Sequence, residues 1–412
     1  MTTITDFAGV HKALSTYAMA LPKASVAYTL TRMRILMIAL GNPQNDLKIV
    51  HVAGTSGKTS TSYYVAAMLQ QAGQVVGLTV SPHLEEINER LQINLLPVSE
   101  VEFGKALSKF LALLNMVNVV PTYYELLIAF AYWYFAQQKV DYAVIEVGLG
   151  GLLDSTNVCT RTDKICVITD IGLDHTQILG TSLSLITAQK AGIIQPGNAV
   201  VCFRQSVVVD TVISEHTKAA QGSLEAYDYQ ALLATKLPLF QQRNWQLAAH
   251  VYDYLQQRDD LAELTSRQRQ QTQLTYVPGR MEVIQHGNKV LVLDGAHNPQ
   301  KMQTLVASLL AQYPQQSIAA LVAVKAVKDI AATLEPLVAV VSHVIATEFR
   351  SGYGQAYTSV GVNEIVAVAE HAEAIADLST AVRTLLKRPE PLLLVTGSLY
   401  LLQQAKKIVK NS

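Results

Sequence analysis

The chain has 412 residues, half of them hydrophobic and 16% charged, and its 32 basic and 32 acidic side chains cancel. That length suggests two or three domains, and the hydrophobic content excludes a disordered or low-complexity chain. The charge balance gives no electrostatic footprint for nucleic acid or an anionic membrane.

The three cysteines, Cys159, Cys166 and Cys202, lack metal-ligand spacing. They fit a reducing, cytoplasmic compartment better than a disulfide framework. The N-terminus shows no apolar h-region, so no signal peptide is expected. The apolar stretch Leu126–Ala136 is too short to span a bilayer and reads as a core helix.

In chain order, Leu47–Val52 reads as a strand, followed by a glycine-rich turn and a helix over about Thr59–Ala72. Val75–Val80 reads as the next strand. Helices are expected over Glu100–Leu114 and Tyr123–Gln138, then strands at Tyr142–Val147 and Ile165–Asp170. These strands are apolar almost throughout, as in a parallel sheet covered by helices on both faces. The Gln/Arg-rich stretch Gln256–Gln273 is the most polar region, and the turn Pro278–Gly279 follows it. A domain boundary is placed there. The second part restarts with a strand at Val290–Leu293 and a helix at Pro299–Tyr313. Ala319–Val324, Val340–Thr347 and Leu392–Thr396 read as further strands. The expectation is an α/β chain. A P-loop-type, mostly parallel sheet domain (1–278) leads through a linker (279–287) to a smaller Rossmann-like α/β domain (288–412).

Five segments concentrate chemistry. Gly54-Thr55-Ser56-Gly57-Lys58-Thr59-Ser60 sits between a strand and a helix. Its glycines allow close backbone approach to phosphate, and the helix N-terminus favours an anion. Lys58 adds a mobile positive charge. The hydroxyls of Thr59 and Ser60 lie where a magnesium ion or phosphate oxygen is expected. Val52 occupies the place of the first glycine of a standard P-loop, so the loop is a shortened variant.

Glu146 ends an apolar strand before Gly148-Leu149-Gly150-Gly151. It reads as a magnesium ligand, or as an N-cap or ion-pair partner. His175 closes Asp170-Ile171-Gly172-Leu173-Asp174-His175 and reads as a metal ligand, a phosphate contact or a structural histidine. Lys190, before Gly192, is at a helix end, where lysine ordinarily complements the dipole. Asp294-Gly295-Ala296-His297-Asn298-Pro299 is a strand-to-helix turn in the second part. Arg280 lies near it in sequence, where it could reach a nucleotide held between domains.

Together these segments resemble the folylpolyglutamate synthase/dihydrofolate synthase family of the Mur ligase superfamily. The resemblance extends over Leu40–Gln44, His51–Thr55, Ser81–Leu84 with Asn88–Arg90, Glu146–Gly151 and Gly172–His175. It continues through Lys190–Ile193, Pro278–Arg280, Asp294–Pro299 and Thr396–Tyr400, covering residues 28 to 403. It implies an ATP- and Mg2+-dependent ligase that phosphorylates a folate or pteroate carboxylate and joins L-glutamate to the acyl phosphate.

By position, Gly54, Thr55, Ser56, Gly57, Lys58, Thr59, Ser60, Asn244, Arg280, Asp294 and His297 would bind ATP. Ser81, Glu146 and His175 would hold the metal. Lys58, Lys190 and His175 would serve catalysis, with Lys190 matching a lysine that CO2 carbamylates in the family. Ser81–Arg90 resembles the loop bordering the pterin, which assigns Pro82, His83, Asn88 and Arg90 to substrate.

The chain also departs from the family pattern. Ser56 and Thr59 replace an asparagine and a glycine of the family loop, and Thr59 brings the loop nearer that of the cell-wall Mur ligases. Leu152 stands in place of an arginine, removing a cation near acidic substrate, and Gln189 replaces a glutamate. These departures bear on the acceptor. A Mur-type ligase acting on another carboxylate is the alternative enzyme, and a non-catalytic nucleotide-binding homologue the alternative class.

Overall fold

The computed structural model describes residues 4–19, 29–232, 235–326, 329–351, 357–369 and 372–411. The chain divides into two compact units, Met1–Ala231 with Arg243–Thr275, and Leu232–Gln242 with Tyr276–Ser412.

The first unit opens with two helices, α1 (Phe7–Met19) and α2 (Thr31–Ala39). Strand β1 (Lys48–Ala53) is buried from Ile49 onward and runs into the glycine turn and helix α3 (Lys58–Gln71). Strand β2 (Val76–Thr79) follows, then the two-residue strands β3 (Gln92–Ile93) and β4 (Leu96–Pro97). Helix α4 (Glu100–Leu114) is capped by Ser99. Helix α5 (Tyr123–Gln137) starts with a reciprocal Thr122–Glu125 capping box, which satisfies two otherwise orphan N–H groups. The remaining elements are β5 (Tyr142–Glu146), β6 (Ile165–Ile168), α6 (Thr176–Leu179), α7 (Leu183–Ala191), β7 (Ala199–Phe203), α8 (Val207–Ala219) and β8 (Ser223–Tyr227). Helix α9 (Leu239–Asp259) begins in residues grouped with the second unit, and α10 (Ser266–Gln273) closes the first.

The eight strands form one sheet in the order β4-β3-β2-β5-β1-β6-β7-β8, parallel except at the β2–β3–β4 edge. The register sets Val52 beside Glu146 and Ala53 beside Ile168. The C-terminal ends of β5, β1 and β6 therefore lie side by side, which is where open α/β sheets bind ligands. One core lies under α4 and α5, where Phe103 and Phe110 pack on Phe130 at centroid distances of 5.3 Å.

In the second unit, β9 (Glu282–His286) and β10 (Lys289–Asp294) precede α11 (Pro299–Gln312) and β11 (Ile318–Val322). Then come α12 (Ile330–Val338), β12 (His343–Ala346) and the antiparallel pair β13 (Arg350–Ser351) and β14 (Tyr357–Thr358). The chain ends with α13 (Val362–Val366), β15 (Ala372–Ala374), α14 (Leu378–Lys387), β16 (Leu392–Thr396) and α15 (Leu399–Lys410). The sheet order is β15-β12-β11-β16-β10-β9, and only β9 is antiparallel.

The α/β class, with a large mostly parallel sheet and a smaller second one, agrees with the sequence reading. Two local readings differ, at residues 279–287 and at β7. Residues 279–287 were read as a linker, yet they contain β9. This strand alternates covered (Glu282, Ile284, His286) and exposed (Val283, Gln285) side chains, of which only Glu282 is fully buried, and folds back on β10 through Gly287-Asn288, a two-residue hairpin turn. The polar stretch 256–273, beside which the boundary was placed, covers the end of α9 and all of α10, and the first unit ends just after it at Thr275; its glutamines and arginines are good helix formers. Strand β7 was not assigned, although Ala199-Val-Val-Cys-Phe is an apolar run of the kind that marks a buried parallel strand.

Candidate functional site

The glycine turn after β1 is held from below by the end of β6. The backbone N–H groups of Thr55 and Ser56 donate to the Asp170 carbonyl at 2.8 and 3.1 Å. The Thr55 hydroxyl donates to Gly172 O at 3.0 Å and accepts from Gly172 N at 3.1 Å. The Thr169 hydroxyl donates to Ser56 O at 2.7 Å. Two positions admit only glycine. A Cβ on Gly54 would fall 1.8 Å from Thr169 Oγ1, and one on Gly57, whose φ is +91°, would fall 2.4 Å from Asn244 Oδ1. Asn244 is thus seated against the loop. No side chain caps α3, so its first turn presents backbone N–H groups and the positive end of the dipole.

Two lysines meet on one carbonyl. Lys58 Nζ donates to Gly54 O at 2.9 Å and Lys190 Nζ donates to the same oxygen at 2.8 Å. Their nitrogens are no farther apart than these two distances laid end to end. Lys190 is buried in the last turn of α7, and it is turned onto the loop rather than simply complementing its own helix dipole.

Glu146, at the end of β5, is buried. Its Oε1 accepts from the Thr59 hydroxyl at 2.8 Å and its Oε2 from Ser81 N–H at 3.0 Å. Thr59 is therefore the hydroxyl of the pair turned to the carboxylate, whereas Ser60 is buried in α3. A buried carboxylate beside a serine and a threonine offers oxygen donors, the set magnesium prefers; that ion keeps several waters and needs few protein ligands. Among the described residues no group of three or more His, Cys, Asp or Glu side chains is poised around a metal. These residues fit a partly hydrated magnesium ion.

His175 is the residue before α6, with its side chain 49% exposed and Nε2 4.0 Å from Asp174 Oδ1. Asp154 shapes the glycine turn after Glu146 by accepting from Leu149 N at 2.8 Å and from the Thr156 hydroxyl at 2.6 Å. Burial raises the Asp154 pKa against these bonds. The Thr156 hydroxyl in turn accepts from His51 Nε2 at 2.8 Å, and burial, then the Lys164 charge, keeps His51 neutral.

The segment expected at the substrate divides in two. Arg90 Nε donates to His83 Nδ1 at 2.9 Å. Arg90 also lines a cavity of about 10 Å³ with Ser81, Tyr124 and Glu146, room for roughly one water. The Tyr124 hydroxyl there is buried, and burial raises its pKa well above the usual tyrosine range. Asn88, by contrast, spends its amide on Val98 O at 2.9 Å, a structural use. Pro82 follows Ser81 through a cis peptide. Leu152 is 42% exposed, and its N–H donates to Gln189 O at 2.7 Å.

Sequence reasoning missed the clamp beside the loop. Arg243 pairs with Asp170 at 2.8 Å and lies over the rings of Phe203 and Tyr229, at 4.8 and 5.2 Å. Asp170, Phe203 and Tyr229 lie at or just beyond the ends of the neighbouring strands β6, β7 and β8, and Arg243 reaches them from α9.

In the second unit, Asp294 ends β10, buried, and accepts from Met281 N and Ala296 N at 2.8 Å each. Burial raises its pKa, while the charges of Arg280 and Lys301 act the other way. Arg280 donates to Gly279 O at 3.0 Å. His297 lies two residues beyond Ala296 N–H's neighbour Gly295, and its Nδ1 is 2.7 Å from Gly295 O.

A glycine loop carrying a lysine, backed by a hydroxyl–carboxylate pair at the parallel sheet's edge, is a P-loop-type nucleotide site, and matches to two domain families make the chain a Mur-type ligase. Residues 52–227 match the Mur ligase middle domain and 279–399 the Mur ligase glutamate ligase domain. The chain is 34% identical over 352 residues to dihydrofolate synthetase of Saccharomyces cerevisiae, covering 79% of this chain and 82% of that one. It is 32% identical over 360 residues to folylpolyglutamate synthase of Lacticaseibacillus casei, covering 80% and 83%. It also superposes on bifunctional folylpolyglutamate synthase/dihydrofolate synthase of Yersinia pestis, complexed with AMPPNP and a Mn ion. The TM-score is 0.83 at 26% identity, covering 97% of this chain and 98% of that one. The chain belongs to the folylpolyglutamate synthase/dihydrofolate synthase family.

Proposed function

We propose that the protein uses ATP to join L-glutamate to the carboxylate of a folate or pteroate. The observation that carries this reading is the convergence of Lys58, Lys190, Thr59 and Glu146 on one glycine loop. The acceptor carboxylate attacks the γ-phosphorus of ATP, ADP leaves, and an acyl phosphate forms. The glutamate amine then attacks the acyl carbon and loses a proton, and phosphate departs with one former carboxylate oxygen.

In this scheme Gly54–Ser60 cradles the phosphates. The first-turn N–H groups of α3 and the Lys58 ammonium stabilise charge on the transferred group. Asn244, against Gly57, fixes the loop and contacts the nucleotide. Glu146, Ser81, Thr59 and His175 would hold the magnesium ion, which when bound would supply positive charge for the phosphoryl oxygens. His83 and Arg90 border the acceptor. In the second unit, Arg280 supplies positive charge to the nucleotide, and Asp294 and His297, held by the backbone of the same turn, are assigned to that reactant with it.

Lys190 is proposed to be carbamylated. Two ammonium groups on one carbonyl repel each other, and a carbamate on Lys190 converts that repulsion into attraction to Lys58. The buried thiols, all three free, support a cytoplasmic enzyme. No helix among the described residues is long and apolar enough to cross a membrane.

The test is ADP release from ATP and magnesium with glutamate and a panel of acceptors: dihydropteroate, reduced folates and a peptidoglycan precursor. Glutamate-dependent release with a pterin acceptor is expected. Release only with the peptidoglycan precursor assigns the chain to another Mur-type ligase, and none with any acceptor removes the ligase reading.

A further inference from the structure

Helix α11 carries a lysine where helix electrostatics disfavours one. Asn298 caps the helix by accepting from Lys301 N at 2.9 Å, Pro299 is its first residue, and the first turn holds no acid. A cation in a first turn opposes the helix dipole. Lys301 is therefore placed at a cost to the helix, and its partner shows what is gained.

Lys301 Nζ lies 3.1 Å from His297 Nε2, and His297 Nδ1 lies 2.7 Å from Gly295 O. A carbonyl only accepts, so Nδ1 carries the proton. An ammonium only donates, so Nε2 presents its lone pair. The opposite assignment, a protonated ring facing a neutral amine, moves a proton from a group of pKa about 10.4 to one of about 6.5 and is strongly disfavoured. The two contacts thus select one tautomer and one charge state. Asp294, on the preceding strand, senses both Lys301 and Arg280. This strand end holds one buried carboxylate, two cations and a neutral imidazole.

We propose that Lys301 is a positioning residue that locks His297 as the neutral Nδ1–H tautomer and fixes its ring between Gly295 O and the ammonium. The inference rests on the reading that His297 faces a reactant in the ligase reaction. A neutral, immobile ring keeps a constant charge beside that reactant as pH varies, while Lys301 and Arg280 supply the positive field.

The test uses the full chain with 15N-labelled histidine, without nucleotide, glutamate or acceptor. The His297 signals are identified by their loss in His297→Gln. Long-range 1H–15N spectra are expected to show the proton on Nδ1 and a bare Nε2. In Lys301→Met the ring should take its second proton at a higher pH than in the wild type, and Lys301→Arg should keep the wild-type behaviour. A proton on Nε2 in the wild type overturns the proposal, and so does an unchanged titration in Lys301→Met. If Lys301→Met fails to fold, the wild-type tautomer alone decides. The spectra are read without turnover. A chain with the expected tautomer but no acceptor-dependent ADP release therefore contradicts the ligase reading and leaves this inference standing.

Discussion

Replacing Thr59 by valine removes one hydroxyl and little else. Thr59 sits in the first turn of α3 and its hydroxyl donates to Glu146 Oε1 at 2.8 Å. Threonine and valine have similar helix propensity, so the change isolates the hydrogen bond. The acceptor is a carboxylate that is only 3% exposed, and hydrogen bonds to charged groups are worth about 1.5–3 kcal/mol. A loss of about 2 kcal/mol corresponds to a fall in Tm of roughly 4–8 °C for a domain of this size. Because the same oxygen pair is assigned to the metal, the variant should also need more magnesium for half-maximal turnover, with kcat/KM for ATP down about 10–100-fold. Thr59→Ser should recover most of both. The assays are thermal unfolding by circular dichroism and a magnesium titration of ADP release. If Thr59→Val melts and titrates like the wild type while Ser60→Ala loses its magnesium response, the assignment of the hydroxyl is wrong.

Three further outcomes are expected. Gly57→Ala places a Cβ 2.4 Å from Asn244 Oδ1 at a φ of +91°; it should cost about 1–2 kcal/mol of stability from the left-handed backbone alone and weaken ATP binding in a calorimetric titration. In the second unit, Lys406 and Glu282 pair at 2.7 Å with side chains 8% and 7% exposed; Lys406→Met should destabilise by about 3–5 kcal/mol in denaturant unfolding, with Lys406→Met/Glu282→Leu closer to the wild type. Arg388 beside Glu390 lowers its pKa from 4.5 to about 2. A depressed folded pKa gives stability that is present above the unfolded pKa and fades as pH falls through about 2. Glu390→Gln should therefore cost on the order of 2 kcal/mol at neutral pH, with the cost shrinking as pH falls toward 2 and gone only below it, read by denaturant unfolding across pH.

The loop and its flanking elements were legible because their signal is local: a buried β-branched run, glycines at a strand–helix junction, then a lysine and hydroxyls. The neighbouring strands were legible as apolar runs. What joins them was not. Thr59 and Glu146 are 87 residues apart and meet because β1 pairs with β5 in the register that sets Val52 beside Glu146. Lys190 reaches Gly54 across 136 residues, and helix-end position alone suggested only dipole complementation. Strand β9 escaped notice because an edge strand buries one face and leaves half of its side chains polar or exposed. Asn88 read as a substrate residue, and its amide bond to Val98 is invisible to motif spacing.

The most direct test of the account follows the oxygen atoms. An acceptor whose carboxylate carries 18O is incubated with ATP, magnesium and L-glutamate, and the released phosphate is analysed by mass. Activation through an acyl phosphate predicts one 18O atom transferred to phosphate for each amide formed. Amide formation with unlabelled phosphate would contradict it.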